Sequence, residues 1–253
     1  MKIYNAFGIK PTNTYISTGT DYYVPNIDDY DVHKSQCALE AFEKSYGMSR
    51  DDINLIYWQF ESHEDSNESN QITNLVHLFL ATGNKILDQW KKESLIDAVD
   101  YFYENYVIHH KNGIVGIKLK LNDTLFINSG IKVALDTVLS DKNDKIIANF
   151  RNLGIGVAGL YVNKSGKGNA GFDVRACLVD EDYAGYVHLS MAYTKDLFEE
   201  GKNIVYVGDK LTQMMLLPVF HSNIEEIDET EYNEIMSDSE RGDAGFGSSD
   251  IKR

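Results

Sequence analysis

Cysteine, proline and basic residues are all scarce in this chain of 253 residues. It has 2 cysteines and 3 prolines, and its 24 Lys and Arg residues face 39 Asp and Glu residues, which gives a net charge of −15. Cys37 and Cys177 stand far apart without metal-ligand spacing, so we expect reduced thiols rather than a disulfide framework. The acidic balance disfavours binding to a phosphate backbone, and we expect no nucleic-acid partner.

Long apolar runs are also missing. The start, "MKIYNAFGIK", has no apolar signal segment, and no uninterrupted apolar stretch of membrane-spanning length follows it. We therefore expect a soluble, cytoplasmic protein that is neither exported nor held in a membrane. A hydrophobic content of 43% allows a substantial core and argues against wholesale disorder.

Helical periodicity dominates the chain from about residue 31 to 108. Apolar residues recur at intervals of three and four in "ALEAFEKSY", "NLVHLFLATGNK" and "ILDQWKKESLIDAVDYFYENY". These segments predict helices, the second of them ended by Gly83. The segment "DINLIYWQF" fits a helix or a strand.

The pattern of apolar and polar residues changes from "NGIVGIKLKLNDTLFINSGIKVAL" onward. Short alternating runs are separated by Gly, Asn and Asp, which is typical of a β sandwich or barrel. We predict a β domain made from residues 1–30 and 109–240, a helical insertion at 31–108, and a flexible tail at 241–253.

Three polar segments carry candidate chemistry. In "ACLVDEDYAG", Asp180 follows an apolar run, and a carboxylate held in one orientation can deprotonate an attacking water. In "NKSGKG", Lys164, Ser165 and a flexible backbone could cradle a phosphate. In the final "RGDAGFGSSDIKR", Arg241 and Phe246 stand among glycines and suit a loop that closes over a flat, anionic ligand. Taken alone, each of the first two segments fits an ordinary surface turn better than a functional site.

The order of the polar segments adds information that no single segment holds. Read in sequence, "TGTDYYVP", "NKSG", "LVDEDYAG", "GDKLTQ" and "RGDAGFGSS" resemble the five ordered motifs of the trimeric dUTP diphosphatase (dUTPase) family. The resemblance covers the β portion and omits the helical stretch. It implies a mainly β fold, a dUTPase-like distorted jelly-roll or β-barrel with an inserted helical subdomain. It also implies a homotrimer with shared active sites that cleaves dUTP to dUMP and pyrophosphate with Mg²⁺.

The resemblance further implies how the phosphates and the metal are held. Asp21 would help to hold the hydrated Mg²⁺ near the triphosphate. Lys164, Ser165 and Gly166 would contact the phosphates, with Lys164 standing where the family has an arginine. Gln213 would order the phosphates or the attacking water.

The same resemblance assigns the base, the sugar and the nucleobase contacts. Asp180 would be the general base for the water that attacks the α-phosphorus, and Tyr183 would pack against the deoxyribose and exclude a 2′-hydroxyl. Backbone amides of a hairpin would read the uracil edge; the candidates are Phe172, Val174 and Leu178.

The tail would complete the site. Phe246 would stack on the uracil ring, while four residues would close on the terminal phosphates, namely Arg241, Gly247, Ser248 and Ser249. Glycines would keep this segment mobile until substrate arrives.

Several alternatives stay open beside this interpretation. The chain could be a dUTPase-like regulatory protein that binds a partner through residues 31–108, or a diphosphatase for a 5-modified dUTP. A phage-encoded member of the family would work in the host cytoplasm. A deaminase on the same fold is disfavoured, because that family lacks the Phe-Gly-Ser tail. An all-α pyrophosphatase is disfavoured because its four acids would be too far apart in sequence; the candidates are Glu40, Glu43, Asp97 and Asp100.

Overall fold

The computed structural model describes nine stretches of the chain: residues 1–13, 19–64, 70–82, 94–110, 112–135, 150, 152–195, 201–222 and 224–239. Six helices fall within these stretches: α1 Val32–Tyr46, α2 Arg50–His63, α3 Ile72–Ala81, α4 Leu95–Tyr106, α5 Ser165–Asn169 and α6 Glu229–Ile235. The same stretches hold twelve strands: β1 Lys2–Asn5, β2 Thr20–Tyr23, β3 Val107–His109, β4 Val115–Lys118, β5 Thr124–Asn128, β6 Ile131–Ala134, β7 Ile155–Asn163, β8 Phe172–Val174, β9 Leu178–Val179, β10 His188–Tyr193, β11 Ile204–Tyr206 and β12 Lys210–Phe220.

The strands form four antiparallel sheets. Their orders are β1–β6, β5–β10–β8, β11–β4–β3 and β2–β12–β7–β9. Strands that are distant in sequence pair with each other, as is typical of Greek-key and jelly-roll folds. The predicted fold class is confirmed: antiparallel sheets form the frame, and helices α1 to α4 are inserted between β2 and β3.

Capping residues and burial explain why the inserted segments are helical. The side chain of Asp31 caps α1, and that of Ser49 caps α2 by accepting the backbone N–H of Asp52. This cap places "DINLIYWQF" in a helix, a choice that periodicity alone leaves open. Every residue of α3 is buried, so this helix exposes no face to solvent. Its C-cap is Thr82, and Gly83, the predicted stop, lies outside the described residues.

The inserted helices share one core with the sheets. The Phe7 ring, just beyond β1, packs edge-to-face on Phe42 of α1, with centroids 5.8 Å apart. Asn74 of α3 accepts the backbone N–H of Ile27 at 2.9 Å and donates to its carbonyl at 2.9 Å. The Tyr46 hydroxyl at the end of α1 donates to a backbone carbonyl of β5 at 2.9 Å. These contacts join the insertion to the β frame through buried groups.

The chain divides into two compact units, Met1–Phe220 and His221–Arg253. The helical segment 31–108 belongs to the first unit. The predicted division into a β domain, a helical insertion and a tail therefore stays a prediction. In the second unit, the Asp228 side chain caps α6. Among the described residues, no helix is both long and apolar enough to cross a membrane.

Candidate active site

One sheet carries four of the five motif segments. Asp21 of β2 is paired with Gln213 of β12, and Gln213 is paired in turn with Val162 near the end of β7. Strand β7 stops immediately before Lys164, and on its other side Gly159 pairs with Val179 of β9. Asp180 follows directly after that strand. Segments that lie up to about 190 residues apart in sequence therefore meet on a single sheet.

A buried carboxylate organises two lysines at this sheet. Asp21 is 5% exposed. Its Oδ1 accepts a hydrogen bond from Lys164 Nζ at 2.9 Å, and its Oδ2 accepts one from Lys210 Nζ at 3.0 Å. Burial opposes the charged carboxylate, but the hydrogen bonds and positive charges of the two lysines outweigh burial and lower the pKa of Asp21. The hydrogen bond that Lys210 donates to Asp21 raises the pKa of Lys210. The formal charges of the carboxylate and the two lysines sum to +1.

Asn163 connects the phosphate motif to the segment predicted to read uracil. Its Oδ1 accepts the backbone N–H of Val174 at 2.9 Å, and its Nδ2 donates to Asp173 Oδ1 at 3.3 Å. Its backbone carbonyl accepts Gln213 Nε2 at 3.4 Å. Asn163 has no assigned role in the motif pattern. The signal that could have found it is its place immediately before Lys164 in "NKSG".

The segment after Lys164 is more ordered than the sequence predicts. Ser165 and Gly166, expected in a flexible loop, begin the single-turn helix α5, in which the backbone N–H of Gly168 donates to the Lys164 carbonyl at 2.9 Å. Lys167 of this turn pairs with Asp209 at 2.7 Å. Asp209 lies 42 positions away in sequence, so local glycine content alone suggested more freedom than the turn has.

The predicted uracil hairpin divides between two sheets. Phe172 and Val174 lie on β8, which pairs with β10, whereas Leu178 lies on β9, which pairs with β7. The Phe172 side chain is buried and packs edge-to-face on Tyr193, with centroids 5.2 Å apart. Its side chain is therefore a core group, and only its backbone could face a ligand.

Asp180 and Tyr183 line a cavity of about 280 Å³ together with Leu178 and His188. The Tyr183 hydroxyl donates to the Tyr186 carbonyl at 2.9 Å. A Cβ at Gly185 would lie 2.4 Å from the Tyr183 hydroxyl oxygen, so only glycine leaves room for this ring position. The turn "DEDYAG" therefore fixes the tyrosine beside the carboxylate.

The structure thus brings the predicted site residues together in two groups. Asp21, Lys164 and Gln213 form the first group, next to Ser165 and Gly166. Asp180, Tyr183 and Leu178 line the cavity. The predicted tail residues lie outside the described residues: Arg241, Phe246, Gly247, Ser248 and Ser249.

The donor set at Asp21 does not fit a directly coordinated metal. Each of its oxygens accepts a lysine ammonium. Within the described stretches, no group of three or more His, Cys, Asp or Glu side chains is placed to hold a metal ion. Protein ligands for Mg²⁺ are usually carboxylates whose oxygens point at the ion. The described residues therefore supply no complete coordination sphere for Mg²⁺.

Comparison with known proteins agrees with the ordered motifs. The dUTPase family model matches residues 121–250, which is just over half of the chain. The chain belongs to the dUTPase family. The matched region contains the phosphate motif, the Asp180 cavity residues and Gln213.

Individual relatives match less of the chain. The human mitochondrial deoxyuridine 5′-triphosphate nucleotidohydrolase is 36% identical over 77 residues, which is 30% of this chain and 26% of that protein. The match therefore spans about a quarter of that relative's length.

Two solved phage structures are also similar. A mutant of the Staphylococcus bacteriophage 80alpha dUTPase with dUpNHpp is 17% identical, with a TM-score of 0.37, over 58% of this chain and 91% of that one. A mutant dUTPase from phage phi11 of S. aureus, described with a structural Mg(II) ion, is 14% identical with a TM-score of 0.30, over 50% and 90% of the two chains.

Proposed function

We propose that this protein is a dUTP diphosphatase that hydrolyses dUTP to dUMP and pyrophosphate. Membership of the dUTPase family supports this activity. The single observation that carries the proposal is the convergence of four motif segments on the sheet β2–β12–β7–β9. These segments place the buried Asp21 carboxylate and its two lysines beside the phosphate motif, an arrangement suited to binding a triphosphate.

The lysine pair is the proposed phosphate-binding element. A lysine ammonium has three N–H donors, so the hydrogen bond to Asp21 does not exhaust Lys164. Asp21 fixes the direction of both stems, and the net charge of +1 supplies a positive centre in a chain of net charge −15. Phosphoryl transfer depends mainly on positioning and charge stabilisation. We expect Lys164, Lys210 and Ser165 to hold the phosphates and Gln213 to orient them.

Asp180 is the proposed general base. It would take a proton from a water whose oxygen attacks the α-phosphorus, and pyrophosphate would leave as the new P–O bond forms. Tyr183, held over Gly185, would pack against the deoxyribose and exclude a 2′-hydroxyl. Backbone groups near Phe172, Val174 and Leu178 would read the uracil edge. The tail, with Arg241 and Phe246, would close over the bound nucleotide.

A homotrimer with shared sites would explain why the motif residues fall into two groups within one chain. In that arrangement the Asp180 cavity of one subunit would face the Asp21 cluster of another. The second half of β12 supports association, because its side chains are apolar yet exposed: Leu216 is 41% and Phe220 74% exposed. Exposed apolar strands of this kind commonly mark contacts between subunits.

A subunit-mixing experiment tests the base, the tail and the trimer together. One variant carries Asp180→Asn, and the other ends at Glu240. Each homotrimer alone should be inactive, because the amide cannot accept the water proton and the shortened chain lacks Phe246 and Arg241. After subunit exchange, roughly a quarter of the sites in random cyclic trimers should hold both functional parts.

The outcomes of this experiment separate the parts of the proposal. Activity that returns on mixing, with mixed trimers verified by native mass spectrometry, supports shared sites. Mixed trimers without activity would refute the sharing. An Asp180→Asn protein that retains more than about a tenth of the wild-type turnover would remove Asp180 as the base. Separate assays with each deoxynucleoside triphosphate and with a 5-modified dUTP identify the substrate.

A partner-binding role for residues 31–108 is a second proposal. It is favoured by Trp58 of α2, a large aromatic residue that is 66% exposed. The solved phage 80alpha dUTPases are described as controlling transfer of virulence genes. Trp58→Ala should leave dUTP hydrolysis unchanged while it weakens a regulatory complex, and a loss of hydrolysis would contradict the separation of the two roles.

A further inference from the structure

A second cavity lies beside the Asp180 cavity, on the side of the helical insertion. Its volume is about 490 Å³, within the range of small-molecule sites. Helix α1 forms one wall, and strands β1, β5, β6 and β10 contribute to the others. Phe126, Tyr183 and His188 line both cavities. The insertion therefore helps to build a pocket that adjoins the proposed active site.

Aromatic rings provide flat walls in this second cavity. Phe126 and His188 are stacked, with centroids 4.4 Å apart and planes 7° from parallel. Tyr4 and Tyr186 line the same space. Phe126 is 40% exposed, so part of its ring is open to a ligand. Stacking on such a face suits a planar nucleobase and tolerates different bases.

Two lysines give the cavity an anion-binding character. Lys44 comes from α1 and Lys132 from β6. The Lys132 ammonium lies 4.7 Å from the centroid of the Tyr186 ring, and this cation–π contact places it at the aromatic wall. Glu40 is the acidic side chain of the lining, and its Oε1 accepts Gln36 Nε2 at 3.2 Å. Two positive charges against one negative charge favour a small anion such as a phosphate monoester.

His188 adds a polar atom that needs a partner. Its Nε2 is buried, and it has no hydrogen-bond partner within the stretches that the structure describes. Burial lowers the pKa of His188, so the imidazole is neutral near pH 7. A buried polar atom without a partner is costly, and a ligand group in either adjoining cavity could satisfy it.

We propose that the cavity between α1 and strands β5, β6 and β10 binds a nucleoside 5′-monophosphate, separately from the substrate. The base would stack at the Phe126 wall, the phosphate would lie at Lys44 and Lys132, and His188 Nε2 would hydrogen-bond to the ligand. Because Tyr183 lines both cavities, the bound nucleotide would change the KM for dUTP. This last consequence rests on the proposed function, whereas the binding itself does not.

Isothermal titration calorimetry with adenosine 5′-monophosphate tests the site. AMP has no β-phosphate, so it cannot be a diphosphatase substrate. It is titrated into the full chain with and without a saturating concentration of α,β-imido-dUTP. We expect AMP to bind in both cases, and adenosine and inorganic phosphate each to bind more weakly. Binding that disappears with the dUTP analogue would place AMP in the substrate site and overturn the proposal, as would an absence of binding.

Matched lysine variants separate a built site from general charge attraction. Lys44→Met and Lys132→Met each remove one ammonium that lines the cavity, and we expect about a tenfold or greater loss of AMP affinity from each. Lys34→Met removes an ammonium from the same helix outside the cavity lining, and AMP affinity should stay within about twofold. Melting curves verify that each variant is folded. Equal affinities of the three variants would refute the site, whatever the outcome of the dUTP assays.

Discussion

Replacing Tyr46 with phenylalanine measures how strongly the helical insertion is tied to the β frame. The Tyr46 hydroxyl donates to the Phe126 carbonyl at 2.9 Å and accepts the Asn128 backbone N–H at 3.1 Å. It also lies 3.1 Å from His77 Nε2 of α3. Burial raises the pKa of Tyr46, because a charged phenolate would be poorly solvated at this position. One oxygen atom therefore joins α1, α3 and β5.

The cost of Tyr46→Phe follows from the groups that lose their partner. The ring keeps its packing, but a donor on β5 and an acceptor on β5 become unpaired, and each buried unpaired group costs about 1–3 kcal/mol. We expect the free energy of unfolding to fall by about 3 kcal/mol. Urea denaturation followed by tryptophan fluorescence gives the value. The control is Tyr30→Phe, because Tyr30 is 80% exposed. A Tyr46→Phe loss below about 1 kcal/mol, or one equal to that of the control, would refute the reasoning.

Three further perturbations follow from the structure. Burial, with a smaller effect of His188, lowers the pKa of His77 to about 3, so below the ordinary value of 6.5 the unfolded chain binds a proton that the folded chain does not. The free energy of unfolding should therefore fall by up to about 1.4 kcal/mol per pH unit between about pH 6 and pH 4, and a chain with His77→Gln that kept the full slope would contradict this. Replacing residues 31–108 with a Gly/Ser linker should abolish cooperative melting by circular dichroism, because Phe7 loses its edge-to-face ring contacts with Phe42 of α1 and His77 of α3; a folded, active short chain would instead confirm a separable insertion. Hydrolysis of dUTP should stop in EDTA and return with Mg²⁺, and full activity in EDTA would disprove the metal requirement that the family resemblance implies.

The candidate site could be predicted from the sequence only as a set of separate motifs. The order of "TGTDYYVP", "NKSG", "LVDEDYAG" and "GDKLTQ" pointed to Asp21, Lys164, Asp180 and Gln213. The order of motifs along a chain can be read directly from the sequence. The partner of Lys164 could not be predicted, because Asp21 lies 143 positions away. Such a pairing depends on which strands become neighbours in the sheet, and that is decided by long-range packing.

The same distinction holds for the fold. The sequence by itself determined the helical character of "ALEAFEKSY" and the alternating strands of the β region, because periodicity and turn residues act within a few positions. It left "DINLIYWQF" open, and it suggested that residues 31–108 could form a module of their own. Only the tertiary structure decided that Phe42 and Tyr46 pack and hydrogen-bond into the β frame. It also set α1 as a wall of the cavity beside Tyr183, because burying an apolar face requires a particular partner surface and no local pattern names that partner.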